Sequence, residues 1–194
     1  MTTKIRVVLL IAVLIISMTG TAFAYKTTDD SGITNSWNKK PVYVYSGTLP
    51  STWDSSVNSS IGSWSSAGAN FSYVKNNPPV NSLDVCIQQS SMANNDTWAQ
   101  ETATSWIVIS STKRQKTGST INMNTYVNWS TTTICPPKAI DVESVMVHEL
   151  GHALGLNHEQ SNSLYTMYSS TPTGTIYKRS LESDDKNGAK ALYP

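Results

Sequence analysis

A chain of 194 residues is long enough for a single domain with a hydrophobic core of its own. Its 39% of apolar residues and 14% of charged residues are typical of a globular protein and exclude an intrinsically disordered chain. The formal net charge of +1 and the lack of a basic patch argue against a nucleic-acid partner or an anionic membrane surface.

The first 24 residues have the features of a secretion signal. Lys4 and Arg6 make the start positive, residues 7–16 form an unbroken apolar run, and Ala22-Phe23-Ala24 has the small-residue pattern of a cleavage site. The run is shorter than the roughly 18 apolar residues that span a bilayer, which favours a cleaved signal over a membrane anchor. We therefore predict a signal peptide that is removed, and a secreted, extracellular domain at residues 25–194.

The mature sequence predicts a strand, a helix and two further strands. Residues 41–45 are β-branched and aromatic, and residues 50–52 open a helix whose apolar positions repeat at steps of four, four and three. Those apolar positions are Trp53, Val57, Ile61 and Trp64. Residues 71–74 and 83–87 indicate strands separated by a break at Asn77-Pro78-Pro79. This order favours a right-handed crossover in a partly parallel sheet.

A hairpin is predicted next. Residues 94–101 form a polar loop in this interpretation, and residues 105–110 form a strand. Residues 113–119, which include Gly118, would make the turn into a short strand at residues 121–124. No internal repeat and no second domain is apparent.

The two cysteines, Cys86 and Cys135, leave two alternatives open. An exported protein reaches an oxidising compartment, where the pair could form a disulfide. The other alternative is two free buried thiols. Neither cysteine has the spacing of a metal site or a catalytic nucleophile.

The segment that carries the chemistry starts at Asp141, a good N-cap for a helix over residues 142–154. His148 and His152 are four residues apart, so that both imidazoles lie on one helix face and can bind the same ion. Glu149 follows the first of them and can accept a proton from a water molecule that the metal activates. This arrangement is suited to attack on a peptide carbonyl.

A third metal ligand is predicted at His158. Gly155 can adopt a positive φ, which would end the helix and turn the chain back towards the first two histidines. Three protein ligands plus water are typical of catalytic zinc rather than structural zinc. All three histidines of the chain lie in this motif, which disfavours three unrelated core or surface histidines.

The run HELGHALGLNH at residues 148–158 resembles the extended zinc signature of the metzincin peptidases. Met167 resembles the methionine of the turn that lies beneath the metal in that family. Its distance of nine residues from the third histidine is similar to the matrixin branch. The tail LESDDKNGAKALY resembles the C-terminal helix of matrixins, in which an acidic pair, here Asp184 and Asp185, ties the helix to the methionine turn.

This resemblance implies an α+β fold whose upper part is α/β-like. A twisted, mixed five-stranded sheet would carry a backing helix and the active-site helix, and a small C-terminal subdomain would end in a helix. The strand at residues 105–110 would be the antiparallel edge that lines the cleft. A protein or peptide substrate would pair with this edge as an extended strand. We expect a monomer without membrane attachment after cleavage of the signal.

The sequence also departs from the family. No cysteine-bearing propeptide precedes the first strand, so latency through a cysteine switch is not expected. No histidine is left for a second, structural zinc, which predicts one catalytic Zn²⁺. Calcium binding through Asp96 or Glu101 has no recognisable motif. Glu159-Gln160-Ser161 resembles the astacin branch, although the short interval to the methionine favours matrixins.

These features predict a secreted zinc-dependent endopeptidase with Glu149 as general base and acid and with His148, His152 and His158 as metal ligands. A non-catalytic exported module with structural zinc is the competing class, but it has no need of an acid beside the first ligand. A processing peptidase with a single target is a third alternative.

Overall fold

The computed structural model describes residues 24–76, 84–92 and 96–194. The signal peptide predicted at residues 1–24 therefore lies almost entirely outside the described residues, as does the break predicted at residues 77–79. No helix in the described part of the chain is long and apolar enough to cross a membrane. The strands are β1 (Thr34–Trp37), β2 (Val42–Tyr45), β3 (Tyr73–Lys75), β4 (Val85–Ser90), β5 (Ala99–Ser110), β6 (Lys113–Asn124), β7 (Trp129–Ser130) and β8 (Ile140–Asp141). The α-helices are α1 (Asp54–Ser65), α2 (Val142–Leu154) and α3 (Ser183–Leu192).

The main sheet is mixed and mostly parallel, which confirms the predicted α+β class. Its order is β1-β6-β4-β2-β3, and the long strand β5 pairs antiparallel with β6 as the edge. Within the described residues this sheet has six strands, where five were expected. The additional strand is β1, whose sequence Thr-Asn-Ser-Trp has no apolar alternation and which forms by parallel pairing with β6.

The predicted helix after the first strand is confirmed. A 3₁₀ turn at Ser51–Trp53 leads into α1, and all four predicted apolar residues are buried. They are Trp53, Val57, Ile61 and Trp64. On the sheet, Val42 and Val44 alternate with exposed or half-buried neighbours, as a strand with one covered face requires. The helices α1 and α2 pack against each other and share one hydrophobic core with the sheet.

The hairpin is longer than predicted. β5 and β6 have 12 residues each, and the chain turns at residues 111–112. Residues 99–101 and 113–119 were predicted as loop and turn, and both predictions were wrong. Hydrogen-bonded pairing between the two strands outweighs the weak strand preference of the polar local sequence. The pairing register shifts between Ala103 and Trp106, where the regular ladder is interrupted.

The two cysteines do not form a disulfide. Cys86 is half-buried in β4, whereas Cys135 is buried before β8 and its Sγ lies 3.4 Å from the carbonyl oxygen of Ala139. The alternative of two free thiols is therefore the one the structure shows.

The C-terminal segment packs back onto α2. α3 begins with a capping box in which the Glu182 and Asp185 side chains each accept from the other residue's backbone N–H. Tyr193, just after the helix, donates its hydroxyl to the carbonyl of Leu154 at 2.6 Å. The same hydroxyl accepts the N–H of Trp37 at 3.0 Å, so that the chain end holds both β1 and the end of α2.

Candidate metal centre

The helix α2 presents the candidate site and is fixed at both ends. At its start, Asp141 accepts the N–H of Ser144 at 2.8 Å and a bidentate pair from Arg179 at 2.5 and 2.9 Å. At its end, Gly155 has a φ of 122° and donates its N–H to the carbonyls of Gly151 and His152. The sequence prediction of this helix, its N-cap and its terminating glycine is confirmed.

Replacing Gly155 with alanine is expected to destabilise the protein strongly. The φ disfavours any side chain, and a Cβ would lie 2.0 Å from the carbonyl oxygen of Asn35. Strain and overpacking together predict a loss of about 3 kcal/mol or more in the free energy of unfolding, measurable by urea denaturation. Gly62→Ala is the matched control, because no atom lies within 4 Å of its Cβ in the exposed part of α1. The free energy of unfolding of Gly62→Ala should rise by about 0.5–1 kcal/mol. An equal loss of stability in both variants would show that the φ of Gly155 and its contact with Asn35 are not the cause.

The three predicted histidines converge on one point. The Nε2 atoms of His148 and His158 are 3.3 Å apart, and each lies 3.1 Å from Nε2 of His152. Within the described residues, these three form the group of metal-binding side chains that could hold an ion. Ligand nitrogens about 2.0–2.1 Å from a tetrahedral zinc are roughly 3.3–3.4 Å apart, so that this spacing fits zinc.

Hydrogen bonds select the tautomer that a metal needs in two of the imidazoles. Nδ1 of His148 lies 2.7 Å from the carbonyl oxygen of Thr166, and Nδ1 of His152 lies 2.9 Å from that of Leu156. A carbonyl can only accept, so each Nδ1 carries the proton and donates it. The Nε2 lone pairs are therefore directed to the shared point.

The histidines are also held in the neutral form. Burial and the neighbouring imidazoles lower the pKa of His148 well below its ordinary value. Burial, followed by the influence of His158, lowers the pKa of His152 to about 4. The pKa of His158 is also lowered, mainly by partial desolvation, although the residue as a whole is exposed. Neutral imidazoles bind a cation without first releasing a proton.

Glu149 lies beside the cluster with one oxygen free. The residue is 5% exposed, and its Oε2 has no hydrogen-bond partner among the described residues. Burial raises the pKa of Glu149 to about 8, against the opposing effect of a hydrogen bond from the backbone of Glu101. A buried carboxyl with a raised pKa and a free oxygen is suited to proton transfer.

Glu149 lines a cavity of about 390 Å³, which lies between the histidines, the start of β5 and the loop after Met167. Its lining residues are Asp96, Thr97, Trp98, Ala99, Val145, His148, Glu149, His158, Ser169, Ser170 and Thr171. The sequence placed the cleft strand at residues 105–110, but it is residues 99–101 of β5 that border His152 and Glu149. The edge strand was therefore predicted in the right hairpin. The part of it that borders the site was missed, because residues 99–101 were predicted as loop.

The methionine turn lies beneath α2 as expected. Met167 is 2% exposed, and a Cβ on Gly151 would be 2.3 Å from its Sδ. Asp185 accepts the N–H groups of Thr166 and Met167 at 3.0 and 3.1 Å. Of the predicted acidic pair, therefore, only Asp185 ties α3 to this turn. Asp184 accepts the N–H of Ala24 at 2.9 Å instead.

Neither Asp96 nor Glu101 belongs to a group of three or more metal-binding side chains within the described residues, so calcium binding through either of them has no support there. Asp96 is exposed and lines the same cavity as Ser169 and Thr171. The carboxylate of Glu101 accepts from Lys116 and Ser119, so that its charge is already matched by a cation.

Sequence reasoning missed the side chains that hold α2 in place. Several of its carbonyls accept a hydrogen bond from a side chain outside the helix. The donors are Trp64 to Val147, Tyr73 to Leu150, Lys116 to His152 and Ala153, Trp37 to Ala153, and Tyr193 to Leu154. No motif marks these donors, although the abundance of Trp and Tyr was a compositional hint. They make the helix a rigid platform for the histidines.

Comparison with known proteins places these features in context. The family model described as Matrixin matches residues 42–194. Metalloendoproteinase 1 of Glycine max is 49% identical over 55 residues, which are 28% of this chain and 17% of that protein. Matrix metalloproteinase-25 of Homo sapiens is 43% identical over 54 residues, which are 27% of this chain and 10% of that protein. The chain thus matches less than a fifth of the length of these curated relatives.

Proposed function

Since this chain belongs to the matrixin family of zinc-dependent metalloproteases, we propose that it is a secreted endopeptidase that hydrolyses peptide bonds with Glu149 as general base and acid. The observation that carries the proposal is the convergence of three neutral imidazole nitrogens beside a buried carboxyl with a free oxygen. A structural zinc site would fill its fourth coordination position with a protein ligand. Here His148 and His158 line an open cavity, which leaves room for water or substrate at that position.

Each residue of the site then has a defined role. His148, His152 and His158 would hold Zn²⁺ through Nε2, and the metal would supply polarisation of the substrate carbonyl and acidification of water. Glu149 would take the proton of the attacking water with its carboxylate and pass it to the leaving amine. The buried position of Glu149 strengthens its interaction with both groups, because little solvent screens it.

The edge strand supports an extended substrate. Residues 99–101 at the start of β5 border the metal site, and their outer edge is not paired in the described sheet. A substrate backbone can pair with this edge, while a side chain next to the scissile bond enters the cavity of about 390 Å³. We propose protein or peptide segments in extended conformation as the substrate class, and a monomer acting outside the cell.

The test is cleavage of casein by purified residues 25–194, with and without a chelator. The proposal predicts cleavage that the chelator stops and that added zinc restores, because the ligands are neutral and already in place. Digestion would be followed by release of acid-soluble peptides, with the metal content measured in the same sample. A folded, zinc-loaded protein that leaves casein intact would contradict a general endopeptidase, and a folded protein that takes up no zinc would contradict the site itself.

A further inference from the structure

A buried ammonium group joins the end of α2 to the hairpin. Lys116, in β6, is only 4% exposed. Its Nζ donates to the carbonyl oxygens of His152 at 2.7 Å and Ala153 at 3.2 Å. The same Nζ lies 3.0 Å from Oε1 of Glu101 in β5. We call these four groups the Lys116 clamp.

The clamp reaches both halves of the candidate site. One of its carbonyls belongs to His152, whose Nε2 is one of the three metal-directed atoms. Its carboxylate belongs to Glu101, whose backbone hydrogen-bonds Glu149. The clamp therefore sets a metal ligand and the proposed base relative to each other through one cation.

The other donors to α2 do not make this connection. Trp37 and Tyr193 are neutral and tie the end of the helix to β1 and to the chain end. Within the described chain, Lys116 is the charged side chain that donates to α2 carbonyls, and its counter-charge lies on the strand that borders the site. A cation at a helix C-terminus also complements the helix dipole.

We propose that Lys116 is a positioning residue for peptide hydrolysis, which holds His152 and Glu149 at their working separation by clamping α2 to β5. This inference rests on the proposed function. Replacing both members of a buried ion pair with apolar residues of similar volume is often neutral for stability, because the pair's attraction is offset by the cost of desolvation. The specific contribution of this ion pair is geometric, and small misplacements of catalytic groups reduce rates substantially.

The decisive variant replaces both charges, Lys116→Met with Glu101→Met. The backbone N–H of Glu101 is kept, and no unpaired charge is left buried. Both helix carbonyls keep another donor, since Gly155 N–H bonds to His152 and Trp37 Nε1 bonds to Ala153. The unfolding midpoint is therefore expected to stay close to wild type.

Three quantities are measured on this double variant: the unfolding midpoint, the zinc affinity by competition with a chelating dye, and kcat and KM on casein. We expect kcat and zinc affinity each to fall by roughly 10- to 100-fold, the range for loss of a partner that orients a metal ligand. KM should change less than kcat, because an extended substrate would pair with backbone groups of residues 99–101, and both substitutions keep the backbone. Lys75→Met is the control, since Lys75 lies in β3, at the edge of the sheet three strands from β6, and forms an ion pair with the exposed Asp54.

Wild-type kcat and zinc affinity in the folded double variant would overturn the proposal. If that variant does not fold, Lys116→Arg replaces it, because the charge is kept while the donor positions shift. Unchanged kcat and zinc affinity in Lys116→Arg would equally refute a positioning role. The zinc competition needs no activity, so a wild-type protein that cleaves nothing would contradict the proposed function and leave the clamp testable.

Discussion

Replacing Glu149 with glutamine is expected to lower kcat/KM by about 10²- to 10⁴-fold, the usual contribution of a general base. The amide has almost the same shape, so the buried position can accept it, but it cannot take a proton. Glu149 lines the cavity, and its buried Oε2 has no hydrogen-bond partner among the described residues. The three histidines are unchanged, and zinc content should remain at one per chain. Casein digestion measures the fall in kcat/KM, and metal analysis of the same preparation measures the zinc content.

Glu143→Gln is a matched control on the same helix. Glu143 lies in the first turn of α2, where its carboxylate is 3.8 Å from Arg179, and it is not among the residues that line the cavities at Glu149. Loss of this long ion pair should leave kcat/KM within about twofold of wild type. A Glu149→Gln protein as active as Glu143→Gln would remove Glu149 from the mechanism.

Replacing His158 with alanine is expected to weaken zinc binding strongly and to leave the fold intact. Among single substitutions at the site that do not disturb the fold, we expect this one to have the largest effect on zinc affinity. His158 is exposed and lies after Gly155, outside α2, so that its removal opens no cavity in the core. Two ligands on one helix remain, which is fewer than the three that a catalytic zinc uses. The affinity should fall by more than the roughly 10- to 100-fold seen when only a partner of a ligand is removed. Activity at micromolar zinc should fall with it.

Gln160→Ala serves as the neighbouring control. Gln160 is exposed two residues further on, and its Oε1 accepts a hydrogen bond from Ser169 at 3.1 Å. Zinc affinity by competition titration should be unchanged in this variant. Equal zinc binding by His158→Ala and wild type would show that the third ligand is another group.

The site was predictable from the sequence where local geometry determines it. A spacing of four on a helix places His148 and His152 together whatever the rest of the fold does. His158 needed one further element, the positive φ of Gly155, which the residue type itself indicates. The tie from Asp185 to Thr166 and Met167 came from family resemblance, and only the coordinates show that Asp184 does not share it.

The hairpin was not predictable in the same way. Its β5 sequence between Ala99 and Ala103 is polar and small, and its strand conformation comes from pairing with residues of β6 more than 15 positions away. Local patterns carry no signal for such non-local pairing. The same limit hid Lys116, which looks like any surface lysine until β6 places its ammonium under the end of α2.

The hydrogen bonds from His148 to Thr166 and from His152 to Leu156 have a consequence for how the protein acquires its metal. In a zinc finger, the ion organises a chain that is otherwise unfolded, so that chelation is denaturation. Here backbone carbonyls and a complete core orient the two rings, and none of those contacts involves the ion. We therefore expect the chain to fold without zinc and to become more stable when zinc binds. The chain can reach its final shape first and load afterwards, wherever zinc becomes accessible.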